Sequence, residues 1–339
     1  MMGHFQHLLS VVVNTSPMAA RGELRVLTWN VQLLWPQAGN PQQLLARARC
    51  IATKIKALQP QPDILCLQEC WCPKSRALLR TALKSVYVHA LNPEDAYVAC
   101  TSPLQLRSAK CGLLLLSRHE LKGTSFSRFT ALGLESRAFD KGVCGCLVLL
   151  EPVLSHPPIT SQPDSLVGAD ISLMPPTLSL PPPSSALIIV NTHLQSDFWG
   201  GEVGVRARSK QILELRAFAG RMASSANHLN IHILGCVICG DLNVAAGSPE
   251  AASLRALRAV DLLDALPNDA SFPLGIWRPG GYKRCLPSSR LDYILDVSPM
   301  FRPDGARLVV KTANVVVAED GSGLLSDHAF AEVSFAVPS

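Results

Sequence analysis

Short apolar runs, each closed by polar residues at one end, recur along the chain. Residues 234–244 read LGCVICGDLNV, an apolar stretch that ends in Gly240, Asp241, Leu242 and Asn243. A run this short and this continuously apolar reads as a strand buried on both faces rather than as a helix. The same pattern holds at 24–30 (LRVLTWN), which ends in Asn30, at 63–69 (DILCLQE), which ends in Gln68 and Glu69, and at 186–193 (ALIIVNTH), which ends in Asn191 and His193. Residues 290–297 (RLDYILDV) carry Asp292, and 324–335 (LLSDHAFAEVSF) begin with Ser326, Asp327 and His328. Any one such terminus would be explained by a satisfied buried polar group or a helix cap. Taken together they predict one polar site at the rim of a sheet-built core, where strands fix side chains and loops leave room for a ligand.

Helical spacing separates these runs. Over 41–58, Leu44, Leu45, Ala48, Ile51, Ile55 and Leu58 recur near the helical period, with Asn40 set to cap and Pro41 in the first turn. A second helix is expected over 73–85 and a third over 203–224, with Val205, Ile212, Leu215, Phe218 and Ala219 inward and Arg206, Arg208, Lys210 and Arg216 toward water. A fourth is expected over 250–266, and further strands at 111–116, 126–135, 143–150 and 306–318. Residues 152–183 hold nine prolines among serines and threonines, a composition that cannot run through a sheet and need not pack. Between two strong strands it reads as a mobile insertion, not an interdomain linker. The first 22 residues contain no acid and only a short apolar patch at 8–13, so they read as a flexible start or a weak targeting peptide. The rest, 23–339, reads as one catalytic domain of α/β class with two mixed sheets packed face to face and helices outside. An open α/β sheet is the alternative on pattern alone.

Composition is compatible with this. Of the 339 residues 48% are apolar, enough for a sizeable core. The formal charge of +5 suits an anionic substrate or surface. A nucleic-acid enzyme is expected to carry a richer basic groove than this small and scattered excess, which weakly favours a smaller phosphodiester and leaves a nuclease as an alternative. No uninterrupted apolar run of about 18 residues is present, so membrane contact is expected to be peripheral. Segments 91–106 and 272–282, with apolar residues inside polar flanks, are the candidates for it. Eleven cysteines include Cys236 and Cys239 at CxxC spacing. Three residues apart on a strand they point to opposite faces, which argues for packing and against a shared metal. The odd total, with most thiols inside strands, favours a reducing, intracellular setting.

The polar residues suggest a chemistry. Glu69 with Asn30 offers hard oxygen ligands with no His or Cys cluster beside them, which selects Mg2+, with Mn2+ able to substitute, and leaves room for waters and a substrate phosphate. His193 and His328 can divide the tasks of hydrolysis. One takes the proton of an attacking water and the other bears charge on the phosphoryl oxygens. Asp327 next to His328 would point away from it on a strand, so the acid that orients the imidazole is Asp241 or Asp292 unless the chain bends at 326–328.

The ordered set WN (Trp29, Asn30), QE (Gln68, Glu69), NTHL (191–194), GDLN (240–243), RLDYI (290–294) and SDH (326–328) resembles the endonuclease/exonuclease/phosphatase superfamily over nearly all of 24–335. The resemblance implies a four-layered α/β sandwich and hydrolysis of phosphoesters by metal-assisted attack of water. It implies Asn30 and Glu69 at the metal, Asp241 and Asn243 at the phosphate or leaving group, and His193 stabilising the transition state. His328 would be the general base, oriented by Asp327 in a loop before the last strand. Within the superfamily, GLLLLSRHEL (112–121), FDKG (139–142) and THLQSD (192–197) resemble the neutral sphingomyelinases, which implies Lys141 near the substrate phosphate. Asn191 and Asp292 are expected beside it as substrate contacts. The expected reaction is cleavage of sphingomyelin or a related phosphocholine lipid at a membrane surface. The alternatives are a magnesium-dependent nuclease, an inositol-phosphate phosphatase, or a catalytically silent lipid-binding protein on the same fold.

Overall fold

A computed structural model describes residues 9–12, 22–34, 40–97, 111–131, 140–150, 184–196, 201–264, 275–278, 281–284, 290–302, 304–320 and 323–337. In chain order its elements are β1 (Leu9–Val12), β2 (Glu23–Asn30), α1 (Pro41–Ala57), β3 (Ile64–Gln68), α2 (Pro73–Leu83), β4 (His89–Leu91), α3 (Pro93–Tyr97), β5 (Leu114–Ser117) and β6 (Leu121–Arg128). There follow β7 (Gly142–Leu150), β8 (Ser185–His193), α4 (Gly201–His228), β9 (His232–Asp241), a 3-10 helix (Pro249–Leu257), β10 (Val260–Asp261) and the hairpin β11 (Gly275–Arg278) and β12 (Gly281–Arg284). The chain closes with β13 (Asp292–Asp296), β14 (Val309–Val316), the short pair β15 (Glu319–Asp320) and β16 (Gly323–Leu324), and β17 (Phe330–Ala336).

Two mixed sheets result. The first runs β1-β14-β17-β2-β3-β5-β4 and the second β10-β13-β9-β8-β7-β6. Their facing sides share one core, built from Val26, Ile64, Cys66 and Leu115 on one sheet and Cys144, Ile189, Val237, Cys239 and Ile294 on the other. The outer side of the first sheet is covered by α1 and α2 through Leu27, Trp29, Leu44, Ala48, Ile51 and Leu79. That of the second is covered by α4 through Ile188, Ile212, Leu215, Phe218 and Ile238. The four-layered α/β sandwich follows from this order of layers. α1 begins as the sequence predicts: Asn40 accepts from the backbone N–H groups of Gln42 and Gln43, and the Gln43 side chain returns to the Asn40 N–H, closing a capping box.

Strand alternation carries the inner face from apolar to polar. Side chains two apart share a face, so Val26 leads to Thr28 and Asn30, Ile64 to Cys66 and Gln68, Ile189 to Asn191 and His193, and Val237 to Cys239 and Asp241. All are buried. Register brings the ends level: Asn30 lies beside Gln68, His193 beside Asp241, and Asp292 beside Asp241. Cys236 and Cys239 fall in different cores, as alternation requires, and the nine described cysteines are free thiols.

Several sequence expectations are corrected. The helix expected over 250–266 is a 3-10 helix that ends at Leu257, where Arg258 turns left-handed (φ 48°). Val260 and Asp261 then pair with β13. The ladder and the ion pair of Asp261 with Arg290 outweigh the helical propensity of this stretch. The strand expected over 126–135 starts earlier, at Leu121, and ends at Arg128, while 132–135 lie outside the described residues. Arg208, expected to face water, is fully buried. Within the first 22 residues Leu9–Val12 forms an edge strand against β14. The proline-rich stretch 152–183 and residues 98–106, 272–274 and 279–280 lie outside the described residues, and 275–278 and 281–282 are described only by the backbone pairing of β11 with β12. Among the described residues no helix is long and apolar enough to cross a membrane.

Candidate active site

Three loop residues at strand ends adopt backbone conformations that favour glycine, among them Gln32 after β2 at φ 44°. Glu69, just after β3, has φ 56°, and Asn243, just after β9, has φ 52°. Such conformations cost energy and persist where the surroundings impose them, commonly at functional sites. Gly240 makes the β9 end possible. Its φ is 143°, and a Cβ there would lie 1.9 Å from the Thr192 carbonyl oxygen of the parallel neighbour β8. No side chain fits, so the GDLN stretch requires this glycine.

Asn30 joins the two sheets at the site. Its Nδ2 donates to Glu69 Oε1 and to Asp241 Oδ2, each at 3.0 Å. Its Oδ1 accepts from the Gln32 N–H at 3.1 Å. Asn30 therefore turns its amide nitrogen to the carboxylates, and the oxygen ligand expected of it faces the backbone instead. Burial and the nearby Asp327 carboxylate raise the Glu69 carboxyl, against Lys141, Asn30 and His328, to about 7. Burial raises Asp327 as well, against the pull of His328 and Arg47. Glu69 keeps 19% side-chain exposure and Asp241 only 2%. These recessed, hard oxygens with an unfavourable excess of negative charge fit a divalent cation held by Glu69 and Asp241. Asp241, Asp292 and His328 also cluster, with candidate ligand atoms within 4.8 Å of one another.

His328, just before β17 of the first sheet, reaches across to carboxylates of the second. Its Nδ1 is 2.7 Å from Asp292 Oδ2, and its Nε2 is 3.7 Å from Asp241 Oδ2. Burial pulls the imidazole pKa down, but the carboxylates of Asp292, Asp241 and Asp327 outweigh it and hold it well above the ordinary value. Asp327 is engaged elsewhere: its Oδ2 accepts from Gln32 Nε2 at 2.6 Å and its Oδ1 from Ser326 Oγ at 3.3 Å. The 326–328 segment does bend before β17, as the resemblance implies, yet the acid that orients His328 is Asp292. Asp292 is thus a partner of the imidazole, not the substrate contact expected of it. The loop is held from below. Trp29 Nε1 donates to the His328 carbonyl at 3.0 Å, Ser326 Oγ to the Asn30 carbonyl at 2.6 Å, and Arg47 from α1 to the carbonyls of Leu325, Val31 and Gln32.

His193 and Lys141 form the opposite wall. Lys141 Nζ stands 2.7 Å from His193 Nε2 and donates to the Leu194 carbonyl at 2.8 Å. Burial, the Lys141 charge and His328 lower the His193 pKa well below its ordinary value. His193 is therefore a neutral imidazole accepting from Lys141, and the positive charge on this wall is the lysine's. Its Nε2 is also 3.5 Å from Asp241 Oδ2. Asn243 supports this wall: its N–H donates to Asp241 Oδ1 at 2.9 Å and its Nδ2 to the Leu194 carbonyl at 3.1 Å. Asn191 is not in the pocket. Its Oδ1 accepts from Gln68 Nε2 at 2.8 Å and its Nδ2 donates to the carbonyls of Leu67 and Leu114, so its amide is spent on tying the two sheets together beneath the site.

Residues missed from sequence include Gln32, Arg47, Arg208 and Gln211. A signal existed for three of them. Arg47 sits three after Leu44 and four before Ile51, and Arg208 and Gln211 sit four before Ile212 and Leu215, so each interrupts an apolar helix stripe. Gln32 carries no such mark.

The endonuclease/exonuclease/phosphatase family model matches residues 27–328. Among solved structures, sphingomyelinase C from Streptomyces griseocarneus superimposes with a TM-score of 0.55 at 19% identity, covering 93% of this chain and 99% of that one. A beta toxin mutant from Staphylococcus aureus with bound magnesium ions gives 0.55 at 17% identity, covering 93% and 100%. D. rerio TDP2 complexed with single-strand DNA product gives 0.55 at 14% identity, covering 92% and 98%. No curated protein sequence matches.

Proposed function

The chain belongs to the endonuclease/exonuclease/phosphatase family, a family of metal-dependent hydrolases, and we propose that its substrate is the phosphodiester of sphingomyelin or a related phosphocholine lipid, cleaved to phosphocholine and the lipid alcohol. The observation that carries this reading is Lys141. It stems from the FDKG segment that resembles the neutral sphingomyelinases, and its buried ammonium reaches His193 at 2.7 Å. A phosphodiester monoanion needs such a fixed charge on the wall facing the acids.

The chemistry follows from the walls. Asp292 holds His328 through Nδ1, which leaves Nε2 to accept the proton of the attacking water. The water oxygen forms a bond to phosphorus as the bond to the lipid oxygen breaks, and the departing alkoxide takes a proton from solvent. Lys141 bears part of the charge that grows on the phosphoryl oxygens, with neutral His193 beside it. Asn30 bridges the Glu69 and Asp241 carboxylates, and Asn243 holds the other oxygen of Asp241. A cation such as Mg2+ or Mn2+ on Glu69 and Asp241 would supply Lewis-acid polarisation of a phosphoryl oxygen.

The test is release of phosphocholine from labelled sphingomyelin in mixed micelles beside a plasmid nicking assay, both with magnesium. Phosphocholine release without nicking is expected. A nuclease is the second reading, supported by the equally similar fold of a TDP2 solved with a DNA product. Nicking without phosphocholine release would establish it and sink the first.

A further inference from the structure

We propose that Gln211 is a positioning residue that sets the Lys141 ammonium through one peptide group, the bond between Leu194 and Gln195; this rests on the reading of Lys141 as the phosphate-facing cation. A trans peptide is planar, and its N–H and C=O point in opposite directions. At this bond the Gln195 N–H donates to Gln211 Oε1 at 2.9 Å. The Leu194 carbonyl, at the other edge of the same plane, accepts from Lys141 Nζ at 2.8 Å and from Asn243 Nδ2 at 3.1 Å. Holding the N–H on α4 therefore aims the carbonyl into the active site.

The second arm of the same side chain reaches the approach to the lysine. Gln211 Nε2 donates to the Ala131 carbonyl at 2.8 Å. Ala131 follows β6, in the connection that returns to Lys141 at the start of β7. One turn further along α4, Glu214 accepts from the Thr130 N–H at 2.8 Å and the Ala131 N–H at 3.0 Å. Gln211 is thus shared between the acceptor of the ammonium and the connection that delivers it. The far side of residue 195 is held as well. Arg208 Nη1 donates to the Gln195 carbonyl at 3.0 Å, while its Nε and Nη2 form a two-pronged pair with Glu250 at 2.6 Å each. Gln211 and Arg208 are fully buried, so neither arm competes with water. Removing the amide takes a buried acceptor from the Gln195 N–H and a buried donor from the Ala131 carbonyl, and frees the peptide plane to rotate.

A purely structural glutamine would cost the same whether or not the lysine is present, and a positioning glutamine would not. The test is a double-mutant cycle between Gln211→Met and Lys141→Met. It is read as the affinity for inorganic phosphate by calorimetry with magnesium, and as turnover of p-nitrophenyl phosphocholine, with a melting curve for each variant. Each single variant is expected to weaken phosphate binding by about tenfold, as for loss of one hydrogen bond to a charged group. In the Lys141→Met background Gln211→Met should add less than about twofold. An undiminished loss in that background overturns the positioning role and leaves the role of Lys141 standing. Phosphate binding in Lys141→Met as tight as in the wild type overturns the reading of Lys141 and the inference with it. If Gln211→Met does not fold, Arg208→Lys decides by the same cycle, since it loosens the other side of residue 195. Additivity with Lys141→Met would overturn the proposal.

Discussion

Replacing Asp292 with Asn keeps the shape of the side chain and removes the charge that faces His328 Nδ1 at 2.7 Å. The pair is buried, with 0% and 8% side-chain exposure, so solvent screens it little. A hydrogen bond between charged partners contributes about 1.5–3 kcal/mol net. At about 1.4 kcal/mol per tenfold, Asp292→Asn should lower turnover by a factor of roughly 10 to 100. His328→Ala, which removes the base itself, should cost on the order of 10² to 10⁴. The pH profile carries the sign. The carboxylates hold the His328 pKa well above its ordinary value, so they set the acidic limb, which reports the unprotonated base, toward higher pH. Removing the Asp292 charge lowers that pKa, and the limb moves to lower pH while the plateau falls. Asp327→Asn should do less than tenfold damage, because Asp327 bonds Gln32 and Ser326 rather than the imidazole. The assay is turnover against pH for the three variants at saturating magnesium. A larger loss in Asp327→Asn than in Asp292→Asn, or an Asp292→Asn profile whose limb does not move, would refute the orienting role of Asp292.

Glu69→Gln should stabilise the metal-free protein at alkaline pH. The folded carboxyl titrates near 7 against an ordinary 4.5, so its ionised form burdens the fold. The burden is absent below 4.5, grows through that window and is full above 7. Discounted for partial exposure it amounts to about 2–3 kcal/mol. In chelator at pH 8 the variant should melt about 3–4 °C higher than the wild type and show no gain at pH 4. Magnesium should raise the wild-type melting point and leave the variant's unchanged; a variant less stable at pH 8 in chelator would contradict the charge argument. His193→Ala should slow turnover by about 10²-fold while leaving the acidic limb in place, because His193 is already neutral there; loss of that limb would exchange the roles of the two histidines. Gly240→Ala should destabilise the fold by more than about 4 kcal/mol, since its methyl would overlap the Thr192 carbonyl, and an unchanged melting curve would count against the backbone geometry at that position.

Much of the sandwich was legible because local patterns and global packing agree. The strand ends that gather Asn30, His193, Asp241 and Asp292 are visible as apolar alternation running into polar residues, and the capping box of α1 is written in Asn40, Pro41 and Gln43. What was not legible depends on contacts between segments far apart in the chain. The family resemblance implied Asp327 as the partner of His328, whereas the partner comes from β13, 36 residues away. The alternation argument had kept Asp292 open for a sound reason, that neighbours on a strand diverge. Asn191 looked like a site residue by its place in NTHL, but its side chain is spent on Gln68 and two backbone carbonyls of the other sheet. The stretch after Pro249 has helical composition, yet Asp261 is needed opposite Arg290, and a tertiary ion pair is invisible to a local pattern.

Because Asn30 on the first sheet bonds Asp241 on the second at 3.0 Å, the pocket works as a gauge of alignment between the layers. A slide of one sheet over the other by a single residue, about 3.3 Å, would part that bond and leave both ladders intact. Turnover should therefore fail at the first loosening of the sandwich, ahead of any loss of strand content. In mild denaturant, activity would report interlayer slip that circular dichroism cannot register.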